Sequence, residues 1–218
     1  MIIFDCNGVL VDSEPIATAV IVEEFQRHGF QVTPEVLSRF FTGRRQADIF
    51  AAVELATGRK LPLDFPALVT QATLSRFRAE LRPTPHVQQA LTWLRGPKCV
   101  ASSSNLDRVR VSLETTGLLR FFEPNLFSAS TLKRGKPAPD LFLHAAAQTG
   151  IKPRDCIVVE DSPAGVAAAV GAGMTAIGFV GGSHSGRDLD MQLKAMGARA
   201  VIADMRALKG LIWDLRGW

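Results

Sequence analysis

The sequence predicts an α/β fold: a doubly wound parallel sheet with a small domain of four helices inserted after the first strand. From residue 82 onward, short apolar stretches rich in β-branched residues alternate with helical segments, which is typical of a parallel sheet covered by helices. Strand patterns are nearly absent from residues 13–81. We therefore expect a core domain at residues 1–12 and 82–218 and a helical domain at residues 13–81.

The first strand is predicted at residues 2–4, where an apolar stretch leads directly into Asp5. Gly8 lets the chain bend after this strand, and Ser13 before a glutamate and a proline is typical of a helix start. A strand that ends in an aspartate places that carboxylate at the carboxyl edge of the sheet. Open α/β folds bind their ligands at this edge.

The inserted domain is predicted from apolar residues at helical spacing, separated by glycine and proline breaks. The first predicted helix ends at Gly29 and is marked by Val20, Val22, Phe25 and His28; the next three cover residues 34–41, 45–57 and 65–81. Prolines at positions 83 and 85 then return the chain to the core, because a proline disfavours helical backbone at the residue before it.

In the core, strands and helices alternate up to the C-terminus. The predicted strands after the first are residues 99–101, 126–127, 156–159, 175–180 and 200–202. The predicted helices are residues 87–94, 107–116, 138–148, 163–170 and 189–196, with a last helix around residues 211–213. Strands joined by helices form a parallel sheet, because parallel neighbours need a crossover segment between them.

The composition is that of an ordinary globular protein, with 47% hydrophobic and 21% charged residues. No apolar run reaches the roughly 18 residues that a membrane span requires, and the N-terminus lacks the pattern of a signal peptide. Cys6, Cys99 and Cys156 lie in or beside predicted buried strands, at a spacing that fits no zinc motif. We expect reduced core cysteines in a cytoplasmic protein without a membrane partner.

The net charge of +4 and the sequence pI of about 9.2 raise the question of nucleic-acid binding. The basic residues are scattered, however, and aromatic residues make up only 7% of the chain. We therefore expect no nucleic-acid partner. A modest excess of positive charge suits a small phosphorylated metabolite equally well. The sequence leaves the oligomeric state open between a monomer and a weak homodimer.

Further polar stretches directly follow predicted strands, where a site at the sheet edge would be assembled. Serines at 102–104 and Asn105 precede a helix, a pattern that serves helix capping or phosphate binding equally well. Lys136 lies in a basic, proline-bracketed stretch that is otherwise typical of a solvated loop. Glu160 and Asp161 follow an apolar strand, and such a pair caps the next helix or binds a hard cation such as Mg²⁺.

These stretches resemble the four sequence motifs of the haloacid dehalogenase superfamily, in the expected order. Residues 5–14, which read DCNGVLVDSE, are similar to the first motif of its sugar-phosphatase and β-phosphoglucomutase-like branch. The second, third and fourth motifs are matched by the serine at 102, by KPAPD at 136–140 and by ED at 160–161. The resemblance implies a Rossmann-like core with a helical cap domain, and a phosphatase activity on phosphoric monoesters.

The resemblance also implies a role for each matching residue. Asp5 corresponds to the nucleophile that becomes an aspartyl-phosphate, and Ser102 to the hydroxyl that contacts the transferred phosphoryl group. Lys136 corresponds to the cation that offsets the charge of carboxylate and phosphate. Ser103 and Asn105, beside the second motif, are candidates for substrate binding.

The fourth motif implies Mg²⁺ as cofactor. Asp161 corresponds to the main metal ligand together with Asp5, and Glu160 supports it. The backbone carbonyl of Asn7 corresponds to the remaining metal ligand that the protein supplies.

In the cap, TGRR at residues 42–45 is similar to the loop that faces the active site and selects the substrate in this branch. Gly43, Arg44 and Arg45 are therefore substrate-binding candidates, an arginine being suited to a distal phosphate or sugar. A solvated arginine pair is equally consistent with the pattern. His184, in a Gly-Gly-Ser-His loop after a predicted strand, is a further candidate for substrate contact. The branch implies a sugar phosphate as substrate.

Asn7 departs from the family pattern, in which this position is the aspartate that serves as general acid and base. An amide neither gives up nor takes a proton at neutral pH, and loss of such a group typically costs a factor of about 10²–10⁴ in rate. We therefore expect Mg²⁺ and phosphate binding with weakened turnover. The explanations left open are a deliberate substitution that traps substrate, a natural residue of a slow phosphatase or of a different chemistry, and a phospho-ligand-binding relative.

A β-phosphoglucomutase-like phosphomutase is the enzymatic alternative. Mutases of this branch depend on a histidine at the hinge of the cap, shortly after the first motif, and residues 15–17 supply none. The sequence therefore favours a phosphatase.

Overall fold

The computed structural model describes residues 1–41 and 46–216 of the chain. These residues divide into two compact units. One unit consists of Met1–Ser13 and the chain from Leu81 onward, and the other consists of Glu14–Glu80. The first, the core unit, contains the sheet, whereas the regular structure of the second, the helical unit, is α-helical in its described residues.

The core unit is built on a six-stranded sheet in which every neighbouring pair of strands is parallel. Its strands are β1 (Ile2–Phe4), β2 (Lys98–Ser102), β3 (Leu126–Ser128), β4 (Ile157–Glu160), β5 (Thr175–Phe179) and β6 (Ala200–Ile202). The strand order is β3-β2-β1-β4-β5-β6. The predicted fold class, an α/β fold with a doubly wound parallel sheet, is confirmed.

The sheet grows in opposite directions from β1, and this position determines where a site can form. The chain adds β2 and β3 on one side of β1, and β4, β5 and β6 on the other side. The register aligns Phe4 with Val159, so that Asp5 and Glu160, the next residues, lie at the same level. A reversal of strand order beside the carboxyl ends of the strands is where open α/β sheets bind ligands.

The helices of the core unit begin and end close to the predicted positions. They are α5 (Val87–Trp93), α6 (Leu106–Thr115), α7 (Asp140–Thr149), α8 (Pro163–Gly171), α9 (Leu189–Ala195) and α10 (Leu208–Arg216). Helix α7 begins at Asp140 and not at the predicted residue 138, because Ala138 precedes a proline, which disfavours helical backbone there.

Both faces of the sheet are buried, which explains the continuous apolar runs of its strands. Ile3 and Val158 lie in one buried cluster with Val166 of α8. Phe4, the next residue of β1, points to the opposite face and packs edge-to-face against Phe122 with ring centroids 5.8 Å apart. A residue at the end of β1 or β4 is therefore held by a rigid, close-packed base.

The three cysteines, Cys6, Cys99 and Cys156, are buried free thiols. Burial raises the pKa of Cys99 to about 12, so that its sulfur is protonated and unreactive at neutral pH. The prediction that the three cysteines lie in the core is confirmed.

The helical unit contains α1 (Glu14–Arg27), α2 (Pro34–Phe41), α3 (Gln46–Thr57) and α4 (Phe65–Glu80). An aromatic cluster forms its core: the ring of Phe65 lies 5.0 Å from that of Phe25 and 5.1 Å from that of Phe50, measured between centroids. Arg76 of α4 also forms an ion pair of 2.7 Å with Glu23 of α1. Within the parts of the chain described here, no helix combines the length and the hydropathy needed to cross a bilayer.

The aromatic cluster gives a prediction for stability. Phe65→Ala should lower the free energy of unfolding by about 3–5 kcal/mol, because it removes a fully buried ring and leaves a cavity. Leu63→Ala is the matched control, since Leu63 is fully exposed two residues away, and should change the value by less than about 0.5 kcal/mol. Urea unfolding followed by circular dichroism measures both. Equal effects of the two substitutions would contradict the packing described for Phe65.

Candidate active site

Lys136 lies at the centre of a buried charged cluster at the carboxyl edge of β1 and β4. Its Nζ donates to Asp5 Oδ1 at 2.6 Å and to Glu160 Oε1. The side chains of Lys136 and Asp5 are 7% and 9% exposed, and that of Glu160 is fully buried. Three residues from motifs far apart in the sequence thus meet in one place.

The loop before α7 carries Lys136 into this cluster. The Lys136–Pro137 peptide bond is cis, and the Lys136 ammonium lies 5.3 Å from the centroid of the Phe142 ring, on the first turn of α7. An aromatic face attracts a cation at this distance. The backbone carbonyl of Ala101, on β2, lies 3.5 Å from the same ammonium. The lysine is therefore surrounded by fixed partners and is not a solvated loop residue.

Burial and neighbouring charges act together on the pKa values of the cluster. Burial alone would lower the pKa of Lys136, but the carboxylates of Asp5 and Glu160 outweigh it and hold that pKa above its usual value. Burial raises the pKa of Asp5 well above its usual value, Glu160 and Asp161 add to the rise, and Lys136 opposes it. The site thus holds a charged lysine among a surplus of carboxylates, which a further cation would offset.

Glu160 is held from two directions. Besides its contact with Lys136, its Oε2 accepts the backbone N–H of Ser162 at 3.2 Å and the hydroxyl of Ser162 at 3.0 Å. Because both oxygens already accept hydrogen bonds, the geometry favours Glu160 as the anchor of Lys136. The resemblance implies a supporting role for Glu160 among the metal ligands, and that role stays a prediction.

Asn7 lies in the turn after β1, beside the serines that follow β2. Its Nδ2 donates to Ser104 Oγ at 2.9 Å. Its Oδ1 is buried and accepts no hydrogen bond from the residues that the structure describes. A buried acceptor without a hydrogen bond is costly, so this oxygen suits a donor supplied by a ligand or by water.

The polar residues at the end of β2 and directly after it differ in burial. Ser102 is 1% exposed, and its Oγ accepts the backbone N–H of Ser104 at 3.2 Å. Ser103 and Asn105 are exposed. Asn105 caps α6, its Oδ1 accepting the backbone N–H of Arg108 at 2.8 Å, which is one of the two uses that the sequence leaves open for this stretch. Ser102 is therefore the member of the group that the sheet edge encloses.

Asp161 lies at the meeting point of the loops that follow β1, β4 and β5. Its Oδ2 is 2.9 Å from Nε2 of His184, in the loop after β5. Gly8 adopts φ +72°, and a Cβ there would lie 1.9 Å from Asp161 Oδ2 and 2.6 Å from His184 Cε1. Only glycine leaves room for Asp161 and His184 at this position. Gly8 of the first motif therefore permits close packing in addition to the turn of the chain.

The oxygen atoms at this edge fit Mg²⁺. Asp5 and Asp161 supply carboxylates, which are ligands of hard cations, and Asp161 lies close enough to Asp5 to raise the pKa of that carboxyl. The orphaned Oδ1 of Asn7 and the surplus of negative charge around Lys136 are both consistent with a bound cation. Among the described residues, no group of three or more His, Cys, Asp or Glu side chains is arranged to hold a metal ion. Two carboxylates completed by backbone, water and phosphate are a common arrangement for Mg²⁺.

Several residues that shape the site could not be assigned from the sequence. Ser104 contacts Asn7, Ser162 holds Glu160, and Gly165 lies where a Cβ would come within 2.0 Å of Glu160 Cδ. Of these residues, only Gly165 carries a sequence signal: a glycine inside a helix indicates that another group packs closely against the helix at that position. Gly43, Arg44 and Arg45 lie outside the described residues, and their role in substrate binding stays a prediction.

Comparison with known proteins identifies the family to which the chain belongs. A family model for haloacid dehalogenase-like hydrolases matches residues 1–173. The 6-phosphogluconate phosphatase of Escherichia coli strain K12 is 29% identical over 218 residues, which cover 100% of this chain and 96% of that protein. The fructose-1-phosphate phosphatase of the same strain is 29% identical over 177 residues, covering 81% of this chain and 94% of that protein.

Solved structures agree with this result. A conserved haloacid dehalogenase-like protein of unknown function from Agrobacterium tumefaciens strain C58 is 35% identical, with a TM-score of 0.86. The alignment covers 99% of this chain and 98% of that one, so that the similarity includes both units.

The contact between α8 and Glu160 gives a prediction. Gly165→Ala should lower the free energy of unfolding by about 1–3 kcal/mol, because the new methyl group overlaps the buried carboxylate that holds Lys136. Gly171→Ala, in the last turn of the same helix, is the matched control. Its Cβ would meet its nearest neighbour at 3.9 Å, and alanine there should stabilise by about 0.4–1 kcal/mol. Urea unfolding of both variants measures the sign, and a stabilised Gly165→Ala would refute the close approach.

Proposed function

Because the chain belongs to the haloacid dehalogenase-like hydrolases, we propose that it is a Mg²⁺-dependent phosphatase acting on a small phosphorylated metabolite. The names of its relatives, a 6-phosphogluconate phosphatase and a fructose-1-phosphate phosphatase, support a sugar phosphate as the substrate. The observation that carries the proposal is the buried contact between Asp5 and Lys136, which sets a carboxylate beside a fixed cation at the ligand-binding edge of the sheet.

Asp5 is the proposed nucleophile. Lys136 engages its Oδ1, which fixes the carboxylate plane and leaves Oδ2 to attack phosphorus. The bond from phosphorus to the ester oxygen then breaks, and the phosphoryl group is carried as an aspartyl-phosphate until water hydrolyses it. Lys136 stays charged, because the pKa of its ammonium is held high, and offsets the charge that develops on the phosphoryl oxygens.

Ser102 is the proposed phosphoryl-binding hydroxyl. Since its Oγ accepts the N–H of Ser104, its own proton is directed elsewhere and can be donated to a phosphoryl oxygen. Asp5, Asp161 and the backbone carbonyl of Asn7 would hold Mg²⁺. When bound, Mg²⁺ supplies positive charge against the carboxylates and the phosphoryl oxygens.

Asn7 limits the proposed reaction. The leaving oxygen needs a proton, and the water that attacks the aspartyl-phosphate must lose one. The amide of Asn7 performs neither step, and its Nδ2 is already bonded to Ser104. The proposed enzyme therefore turns over slowly. The same residue favours the second candidate, a phospho-ligand-binding protein on this scaffold, which would keep the charged cluster without turnover.

Asn7→Asp tests the proposal. The change replaces an amide by a carboxylate of the same shape, and Ser104 can rotate its hydroxyl to donate to it, so the fold should be retained. We expect kcat to rise by about 10²-fold or more, since a general acid and base is restored. The measurement is Mg²⁺-dependent release of phosphate from a panel that includes 6-phosphogluconate and fructose 1-phosphate.

The double variant Asp5→Asn with Asn7→Asp is the control, because it restores the proton donor but removes the nucleophile and should show no turnover. A parent protein that is already fast, with a variant no faster, would mean that another group moves the proton. Absence of turnover in the parent and in Asn7→Asp alike would contradict a phosphatase and favour the binding protein.

A further inference from the structure

His184 approaches the proposed metal site from a loop that none of the four family motifs includes. Its Nε2 lies 2.9 Å from Asp161 Oδ2. A carboxylate oxygen only accepts, so the ring nitrogen is the donor. The side chains of His184 and Asp161 are 20% and 11% exposed, so this contact is shielded from most of the solvent. Oδ2 of Asp161 is thus committed to a protein partner.

The loop holds the imidazole in a defined slot. A Cβ at Gly182 would lie 2.7 Å from His184 Cε1 and 3.0 Å from the carbonyl oxygen of Gly8, so glycine is required at Gly182 for the ring to fit. Ser183, next to the histidine, donates to Asp12 Oδ1 from its backbone N–H at 3.3 Å and from its hydroxyl at 2.8 Å. The first motif therefore tethers the loop that carries His184.

The hydrogen bond from His184 to Asp161 Oδ2 affects how Asp161 can bind a cation. Mg²⁺ requires near-octahedral coordination and is usually bound by one or two carboxylates. Ca²⁺ binds more oxygen ligands and also accepts bidentate carboxylates. A hydrogen bond from His184 to Oδ2 opposes binding through both oxygens and fixes the plane of the carboxylate. Partners of this kind orient a metal ligand and typically change metal affinity by about 10–100-fold.

We propose that His184 is a positioning residue for Asp161, and that its hydrogen bond sets both the affinity for Mg²⁺ and the preference for Mg²⁺ over Ca²⁺. This inference rests on the Mg²⁺ site of the proposed function. It extends that function to the choice of metal, and it gives the Gly-Gly-Ser-His loop a role in holding a ligand and not in contacting the substrate.

Two amide substitutions test the position of the donor. His184→Gln places an amide nitrogen near the former Nε2, whereas His184→Asn is shorter and places it near the former Nδ1. Isothermal titration calorimetry with Mg²⁺ alone and with Ca²⁺ alone, on the full chain without phosphate, measures binding independently of activity. We expect His184→Gln to remain within a few fold of the parent and His184→Asn to lose about 10-fold or more in Mg²⁺ affinity, with a smaller loss for Ca²⁺.

His86→Gln is the matched control, because His86 also contacts an aspartate, Asp204, at 3.3 Å elsewhere in the core unit. It should change neither affinity, and thermal unfolding of each variant checks the fold. If the parent binds Mg²⁺ and both His184 variants bind it equally well or more tightly, the inference is wrong while the proposed function stands. If the parent binds no Mg²⁺, the metal site and the inference fail together.

Discussion

The buried contact of Lys136 with Asp5 and Glu160 is the constraint on which the site depends. Removing one partner from a buried ion pair costs about 3–5 kcal/mol, because the remaining charge is left without compensation. The surrounding structure keeps all three groups in place. Neighbouring β1 and β4 bring the carboxylates to one level, and Ser162 satisfies the second oxygen of Glu160. Gly165 gives that carboxylate room under α8. The packing of the fold and the charge balance of the site therefore depend on the same residues.

The second constraint is the crowding of loops around Gly8. A side chain at this position would overlap Asp161 Oδ2 and the ring of His184, so the turn after β1, the end of β4 and the loop after β5 can meet only at a glycine. The positive φ of Gly8 allows the chain to turn after β1, and the absence of a side chain allows Asp161 and His184 to pack against it. These loops bring the nucleophile and the metal ligand of the proposed function together, while the strands below them supply rigidity.

Much of the fold was predictable from the sequence, because strand ends that carry polar residues define an edge of a parallel sheet before any contact is known. The motif resemblance added the family, which the comparisons confirm. The pairing of Lys136 with Asp5, 131 positions apart, needed the folded chain, since the spacing of a lysine among prolines does not reveal its partners. The commitment of both Glu160 oxygens and the contact of His184 with Asp161 also depend on loop conformation, for which periodicity carries no information.

In the proposed function, Asn7 affects turnover without disturbing the residues that bind the ligand. The contacts that hold Lys136, Asp5 and Glu160 do not include Asn7, whose amide bonds instead to Ser104 in the loop after β2. An amide at this position removes proton transfer and leaves the charged cluster in place. An asparagine also carries one negative charge fewer than an aspartate in a site proposed to accept a phosphate, and like charges repel strongly where water is excluded. The asparagine that slows the proposed chemistry is therefore expected to favour retention of a phosphorylated ligand as well. The two candidate functions, a slow phosphatase and a phospho-ligand-binding protein, therefore share one site and differ in whether a proton is transferred there.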